Sequence, residues 1–203
     1  MTPSDIWYSM EDKLIGILRG VTPPETEGIV VALLNAGFRA IEIPLNSPDP
    51  FRSIQIAATV AAGHTTGACL IGAGTVLSVE DVERVQAAGG NLIVSPNINA
   101  DVVRATRRYG MASFPGVFTA TEAHLAVQLG ATGLKFFPAS LLGPSGIRAV
   151  LATLPKQTQI CAVGGIGPDN VEDYLDAGVH GFGLGSNLDR PRSSAESVSE
   201  TAL

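Results

Sequence analysis

The chain of 203 residues predicts an α/β fold, a single (β/α)8 TIM barrel with a short N-terminal capping helix. Three observations predict it. Eight short apolar runs recur along the chain, each followed by a turn and, between runs, a stretch of helical length. Strands that alternate with helices in this way build a parallel sheet. Eight such units in about this length fit a barrel with short loops. No linker or break in composition divides the sequence, so residues 1–203 are expected to form one domain. A doubly wound open sheet is the alternative, and the lack of GxGxxG after the first run counts against it.

A short helix is expected over residues 4–12, covering the bottom of the barrel, with Trp7 and Tyr8 as core or interface anchors. "LIGILRG" from Leu14 is the first strand. Thr22 before Pro23 and Pro24 suits an N-cap with proline in the first turn, so a helix should run over residues 23–36 and stop at Gly37. "AIEIPL" from Ala40 and "LIGAGTV" from Leu70 are the next strands. Ser78 can cap a helix over residues 79–88 that Gly89 closes, ahead of the strand "LIVSP" from Leu92. Asn99 does the same for residues 100–109, which end at Gly110 before "ASFPGV" from Ala112. Thr119, with Glu122 three residues on, has the form of a capping box for a helix over residues 121–129, closed by Gly130. "GLKFFP" from Gly133, "ICAVGG" from Ile160 and "GFGLGS" from Gly181 complete the strands, with Gly178 ending the last intervening helix. Residues 193–203 are short for an eighth helix.

Composition excludes several classes of function. Hydrophobic residues make up 45% of the chain and charged residues 16%, which argues against disorder. A formal charge of −6 with no Lys/Arg cluster argues against nucleic acid as a partner. No apolar run has membrane-spanning length, and "MTPSDIWYSMEDK" lacks the apolar core of a signal peptide, so a cytoplasmic protein without a membrane partner is expected. Cys69 and Cys161 lie in apolar runs and read as buried thiols of a reducing compartment. His64, His124 and His180 are isolated, and neither HxH nor HExxH occurs, so no metal is expected.

The chemistry is suggested by charges inside strands. Side chains alternate along a strand, so Lys135 in "GLKFFP" faces away from Leu134 and Phe136, and Glu42 in "AIEIP" away from Ile41 and Ile43. A barrel gathers function at the C-terminal ends of its strands. That rule collects Arg19, Glu42, Thr75 and Lys135 at one mouth. An amine and a carboxylate there are either a structural ion pair or the parts of imine chemistry, a lysine nucleophile and a proton-shuttling acid. Gly164 and Gly165 follow the seventh run, and Gly185 and Ser186 end the eighth. Backbone amides at those two places form the usual phosphate site of such barrels, with the Ser186 hydroxyl as a further donor.

With these motifs assembled, the chain resembles the KDPG/KDPGal aldolase family, class I aldolases acting on 2-keto-3-deoxy-6-phospho sugar acids. "IEIPLNSP", "IGAGTVL", "VSPNI", "LKFFP" and "AVGGI" carry the resemblance, in order, over nearly the whole chain. It implies Lys135 as the Schiff-base lysine and Glu42 as the general acid/base. It also implies Arg19 and Thr75 as holders of the pyruvyl carboxylate, with Phe137 packed against the bound chain. Gly164, Gly165, Gly185 and Ser186 would then hold the phosphate. No cofactor is implied, and a homotrimer is. Asn46 and Val163 stand where the gluconate-type enzymes of the family carry arginine and threonine, which points to the galactonate branch. Val163 becomes the expected specificity residue, and 2-dehydro-3-deoxy-6-phosphogalactonate the expected substrate. The gluconate epimer is the alternative. A phosphosugar isomerase or epimerase and a non-catalytic phosphosugar-binding barrel are the further alternatives; the presence of both Lys135 and Glu42 favours an aldolase.

Overall fold

The computed structural model describes residues 1–65 and 67–185. In chain order its elements are α1 (Pro3–Ser9), β1 (Leu14–Ile17), α2 (Pro23–Asn35), β2 (Ala40–Pro44), α3 (Pro50–Gly63), β3 (Leu70–Gly74), α4 (Val79–Ala87), β4 (Leu92–Val94), α5 (Ala100–Arg108), β5 (Ala112–Phe114), β6 (Gly116–Val117), α6 (Ala120–Gln128), β7 (Leu134–Phe136), α7 (Ala139–Leu151), β8 (Ile160–Val163), α8 (Val171–Asp176) and β9 (Gly181–Leu184). The strands form one sheet in the order β5-β4-β3-β2-β1-β9-β8-β7-β6, and the pairs are parallel. Its two end strands, β5 and β6, are separated in the chain by Pro115 alone, so the sheet curls into a nearly closed barrel.

Every predicted run carries a strand, and "ASFPGV" carries two. Proline has no N–H for the ladder. Pairing changes hands there: β5 pairs with β4 and β6 with β7. The Pro115 carbonyl still accepts from the Lys135 N–H at 3.0 Å.

The helix ends follow local chemistry. Thr22 with Glu25 and Thr119 with Glu122 form capping boxes, while the side chains of Ser78 and Asn99 accept backbone N–H groups of the first turns of α4 and α5. Gly37, Gly89, Gly110, Gly130 and Gly178 follow their helices with positive φ, the conformation that ends a helix most readily at glycine. The first helix is shorter than expected and starts earlier. A Thr2–Asp5 capping box opens it, and the extended backbone of Met10 ends it, so Glu11 and Asp12 fall outside.

That helix plugs the bottom of the barrel. Ile6, Trp7 and Met10 pack with Ile15, Ala40 and Leu70, which point inward from the starts of their strands. Trp7 is fully buried and meets Phe114 edge-on, with ring centroids 4.7 Å apart. It is a core anchor, whereas Tyr8 is exposed and donates its hydroxyl to the Thr132 carbonyl. Outside the wall, Ile41, Ile43 and Ile71 pack against Leu33 and Leu34 of α2. Phe136, Ile160 and Ala162 pack with Ile147 of α7 on the other side. Burying each such isoleucine or leucine contributes about 1.5–3 kcal/mol. Strands covered on both faces explain why the runs read as continuously apolar.

Cys69 and Cys161 are buried and form no disulfide. Among the described residues, no helix is long and apolar enough to cross a membrane. The short segment expected at residues 193–203 lies outside the described residues.

Candidate active site

Lys135 sits in the middle of β7, in register with Cys161 of β8. Leu134 and Phe136 join the outer layer, so the lysine projects into the barrel, where it is 8% exposed. Glu42 does the same from β2, between the outward-facing Ile41 and Ile43, and is 2% exposed. The two groups are electrostatically coupled but make no direct ion pair. Among the described residues the ion pairs within 4.0 Å are Arg104–Asp101 and Arg108–Glu83, both well away from the barrel interior. The Glu42 Oε2 atom is buried with no hydrogen-bond partner.

Burial dominates the ionisation of both groups. Desolvation pushes the Glu42 carboxyl up to about 7, against the opposing pull of the Lys135 and Arg19 cations. It drives the Lys135 amine below its ordinary value, opposed chiefly by the Glu42 charge. Cys161 itself, fully buried, is pushed up to about 12 and stands beside the amine as a neutral thiol. Burial disfavours whichever form is charged. The result is an amine biased toward its nucleophilic form beside a carboxyl that titrates near neutrality, the range in which acid–base catalysis works best.

Above this pair the strand ends supply a mouth. A pocket of about 180 Å³ is lined by Ile17, Arg19, Phe137, Val163, Gly164 and Gly165, with Gly185 also on its wall. Six of the residues singled out in the sequence therefore meet there: Arg19, Phe137, Val163, Gly164, Gly165 and Gly185. Lys135, Glu42 and Thr75 do not line it. Phe137 makes the link, because the Lys135 Nζ stands 4.9 Å from the centre of its ring. Gly164 and Gly165 have φ of 94° and 78°. A side chain on Gly165 would strike Ser140, so glycine is required there twice over. Ser186 lies outside the described residues.

Thr75 follows β3 with φ of 58°. A β-branched residue in the left-handed region is an outlier, costing about 1–3 kcal/mol, and such strain clusters at functional sites. The surrounding backbone enforces it. The Leu45 N–H donates to the Gly74 carbonyl at 2.9 Å, and the buried Ser95 hydroxyl donates to the Val76 carbonyl at 2.7 Å.

Three residues that organise this mouth escaped the sequence reading. Ser95 is one. Ser47 is another, its hydroxyl accepting from the Gly20 N–H at 3.0 Å and so tying the loop after β1 to the loop after β2. Asn170 is the third: it accepts from the Gly167 N–H and donates to the Gly165 carbonyl at 2.8 Å. Its signal was present in "GPDN", since asparagine readily closes a turn on its own backbone. The histidines lie elsewhere, with His124 on α6 against Thr153 and His180 bonded to the Ile160 N–H at the start of β8.

Fold and site define a parallel α/β barrel with a desolvated lysine and a desolvated carboxylate beneath a glycine-lined mouth. The family model described as "KDPG and KHG aldolase" matches residues 9–197. A Rhizobium meliloti (strain 1021) protein named "Probable 2-dehydro-3-deoxy-6-phosphogalactonate aldolase" is 55% identical over 96% of this chain and 90% of its own length. The 2-dehydro-3-deoxy-6-phosphogalactonate aldolase of Escherichia coli (strain K12) is 48% identical over 93% of this chain and 90% of its own. The solved structure named "Native KDPGal structure" superposes with a TM-score of 0.91 at 45% identity, covering 96% of this chain and 92% of that one. The chain belongs to the KDPG and KHG aldolase family.

Proposed function

We infer that the chain is a class I, Schiff-base aldolase, a carbon–carbon lyase that reversibly cleaves 2-dehydro-3-deoxy-6-phospho-D-galactonate to pyruvate and D-glyceraldehyde 3-phosphate. The observation that carries this reading is the buried pair, an amine depressed by burial and a carboxyl raised by it, neither bonded to the other. In this reading the Lys135 amine attacks the C2 ketone, and loss of water from the carbinolamine leaves an iminium. Glu42, directly or through water, takes the C4 hydroxyl proton. The C3–C4 bond then breaks, its electrons pass into the iminium, and the aldehyde leaves. Protonation of the resulting enamine at C3 and hydrolysis release pyruvate and restore Lys135. The iminium is the electron sink, so neither metal nor cofactor enters. Arg19 and Thr75 hold the substrate carboxylate, Phe137 packs on its chain, and Gly164, Gly165, Gly185 and Ser186 hold the phosphate. Counting β5 and β6 as one strand interrupted at Pro115 gives eight strands, which supports reading the fold as a (β/α)8 barrel and residues 1–203 as one domain.

The choice of sugar acid is read from Val163 and from the names of the two relatives. The galactonate and gluconate substrates differ in configuration at C4. Val163 closes β8, is 6% exposed and lines the pocket. Gly183 beside it makes the room, since a Cβ there would meet the Val163 Cγ2 at 2.7 Å. Valine offers this position no hydrogen bond, so it discriminates as an apolar wall does, incompletely. The wild type is expected to prefer the galactonate substrate and to cleave some of the gluconate epimer. Val163→Thr, which adds a hydroxyl at constant shape, is expected to move the ratio of kcat/KM toward gluconate on the order of tenfold, the worth of one hydrogen bond. Assays of both epimers with both proteins decide it. A wild-type preference for gluconate would refute the sugar assignment and leave the aldolase assignment standing.

A homotrimer is proposed on the family resemblance and on three exposed apolar side chains beyond the strand ends, Leu77, Phe118 and Leu141. Sedimentation velocity at micromolar concentration is expected to give a species of three chain masses, and a monomer would reject it.

A further inference from the structure

Gly74 closes β3 opposite Pro44 of β2. Its backbone is not among those with positive φ, so conformation does not call for glycine. Space does. A Cβ at Gly74 would overlap the Oε2, Cδ and Oε1 atoms of Glu42, and those are the three nearest heavy atoms it would meet. Gly72, two residues earlier, serves a different purpose, since a Cβ there would run into the Leu92 backbone. At Gly74 the group in the way is the carboxylate itself.

The neighbours leave Gly74 little room to yield. Its carbonyl accepts from the Leu45 N–H at 2.9 Å, and the next residue is Thr75 with its φ of 58°. The Glu42 backbone is held in the same way, paired with β1 on one side, where Ile17 is its register partner, and with β3 on the other, and its side chain is 2% exposed. The carboxylate therefore occupies the hollow that the missing side chain leaves, with Oε2 meeting no protein donor.

We propose that Gly74 is a positioning residue for the reaction: the hollow left by its absent side chain seats the Glu42 carboxylate, clear of protein donors, at the place from which it takes the substrate proton. This rests on Glu42 being the base. It predicts an interaction specific to one side chain, which a double-mutant cycle reads directly.

Gly74→Ala alone is expected to lower kcat by roughly a hundredfold or more, the scale of losing a placed base, with KM changed by less than about threefold. Borohydride reduction in the presence of pyruvate should still attach a pyruvyl group to Lys135. In a Glu42→Asp background the shorter side chain withdraws its carboxylate from the added methyl. There, Gly74→Ala is expected to cost less than about threefold, so that the two substitutions are strongly non-additive, as residues in contact are. Equal costs in the two backgrounds would overturn the proposal. Tm is read on the same four proteins. If Gly74→Ala alone fails to fold, recovery of folding on adding Glu42→Asp supports the seat, and continued failure overturns it. Glu42→Gln separates the two claims. Near-normal turnover in that variant refutes the role of Glu42. Lost turnover there, together with wild-type kcat in Gly74→Ala, refutes the seat alone.

Discussion

Lys135→Ala is expected to abolish cleavage, and Lys135→Arg is not expected to restore it. The reason is the covalent step. An ordinary exposed lysine titrates near 10.4, so about 1 in 2,500 such amines is neutral at pH 7. Each unit by which burial lowers that value multiplies the neutral fraction by about ten. At 8% exposure, with desolvation the largest influence, Lys135 is placed where this gain is obtained. Two features oppose it: the Glu42 charge, and the Phe137 ring face 4.9 Å away, which attracts an ammonium. Burial outweighs the charge, so the balance favours the nucleophile. A guanidinium cannot take part, because it stays protonated throughout the working range. Two measurements check this: kcat on the phosphorylated sugar acid, and the mass of the protein after borohydride reduction with pyruvate. Wild type should gain one pyruvyl group at Lys135, and neither variant should. Cleavage retained above a few per cent in either variant would sink the Schiff-base assignment. An isomerase or epimerase on the same barrel, or a silent binding barrel, would show no adduct even in the wild type.

How much of this was legible in the sequence depends on whether the physical cause is local. Alternation of apolar runs and helical stretches predicted the barrel, because the strands are covered on both faces and several of the helices are punctuated by their own caps. Thr22, Ser78, Asn99 and Thr119 were readable for that reason: a cap acts within a few residues of itself. Lys135 and Glu42 were readable because a charge inside a buried strand is conspicuous. The split at Pro115 was written in the sequence, and the strand assignment there passed over a residue that cannot donate to the ladder. What stayed hidden acts across the fold. The Ser47 hydroxyl reaches a backbone amide 27 residues away and that of Ser95 a carbonyl 19 residues away, and no spacing announces either bond. The strain at Thr75 belongs to the same class, since nothing in "AGTVL" requires φ of 58° until the neighbouring strands are in place. Gly74 looked like one glycine among several in "IGAGTV"; its meaning appears only when Glu42 is seen lying against it.

Glu42→Gln is expected to lower kcat by ~10²–10⁴ while leaving the pyruvyl adduct on Lys135, because glutamine keeps the shape and loses the proton transfer. Unfolding should not confuse the result. A carboxyl raised from 4.5 to about 7 by folding destabilises the native state when ionised. Its stability contribution is therefore full below about pH 4.5 and is lost as pH rises toward about 7, on the order of 3 kcal/mol in all. Glutamine carries no such charge, so Tm at pH 8 is expected to be no lower than in the wild type. The pH profiles locate the base. In the free enzyme the groups facing Glu42 are the Lys135 and Arg19 cations, and Lys135 is faced in turn by the Cys161 thiol. Wild-type kcat/KM should fall as pH drops through about 7, where the carboxyl takes up its proton. The iminium formed on Lys135 is a fixed cation beside that carboxyl and holds it lower. The acidic limb of kcat should therefore lie at lower pH than that of kcat/KM. In Glu42→Gln the carboxylate part of both limbs should vanish, leaving only the protonation of Lys135 in kcat/KM. Limbs unchanged by the substitution, or turnover near normal, would show that Glu42 is no more than an electrostatic partner of the lysine.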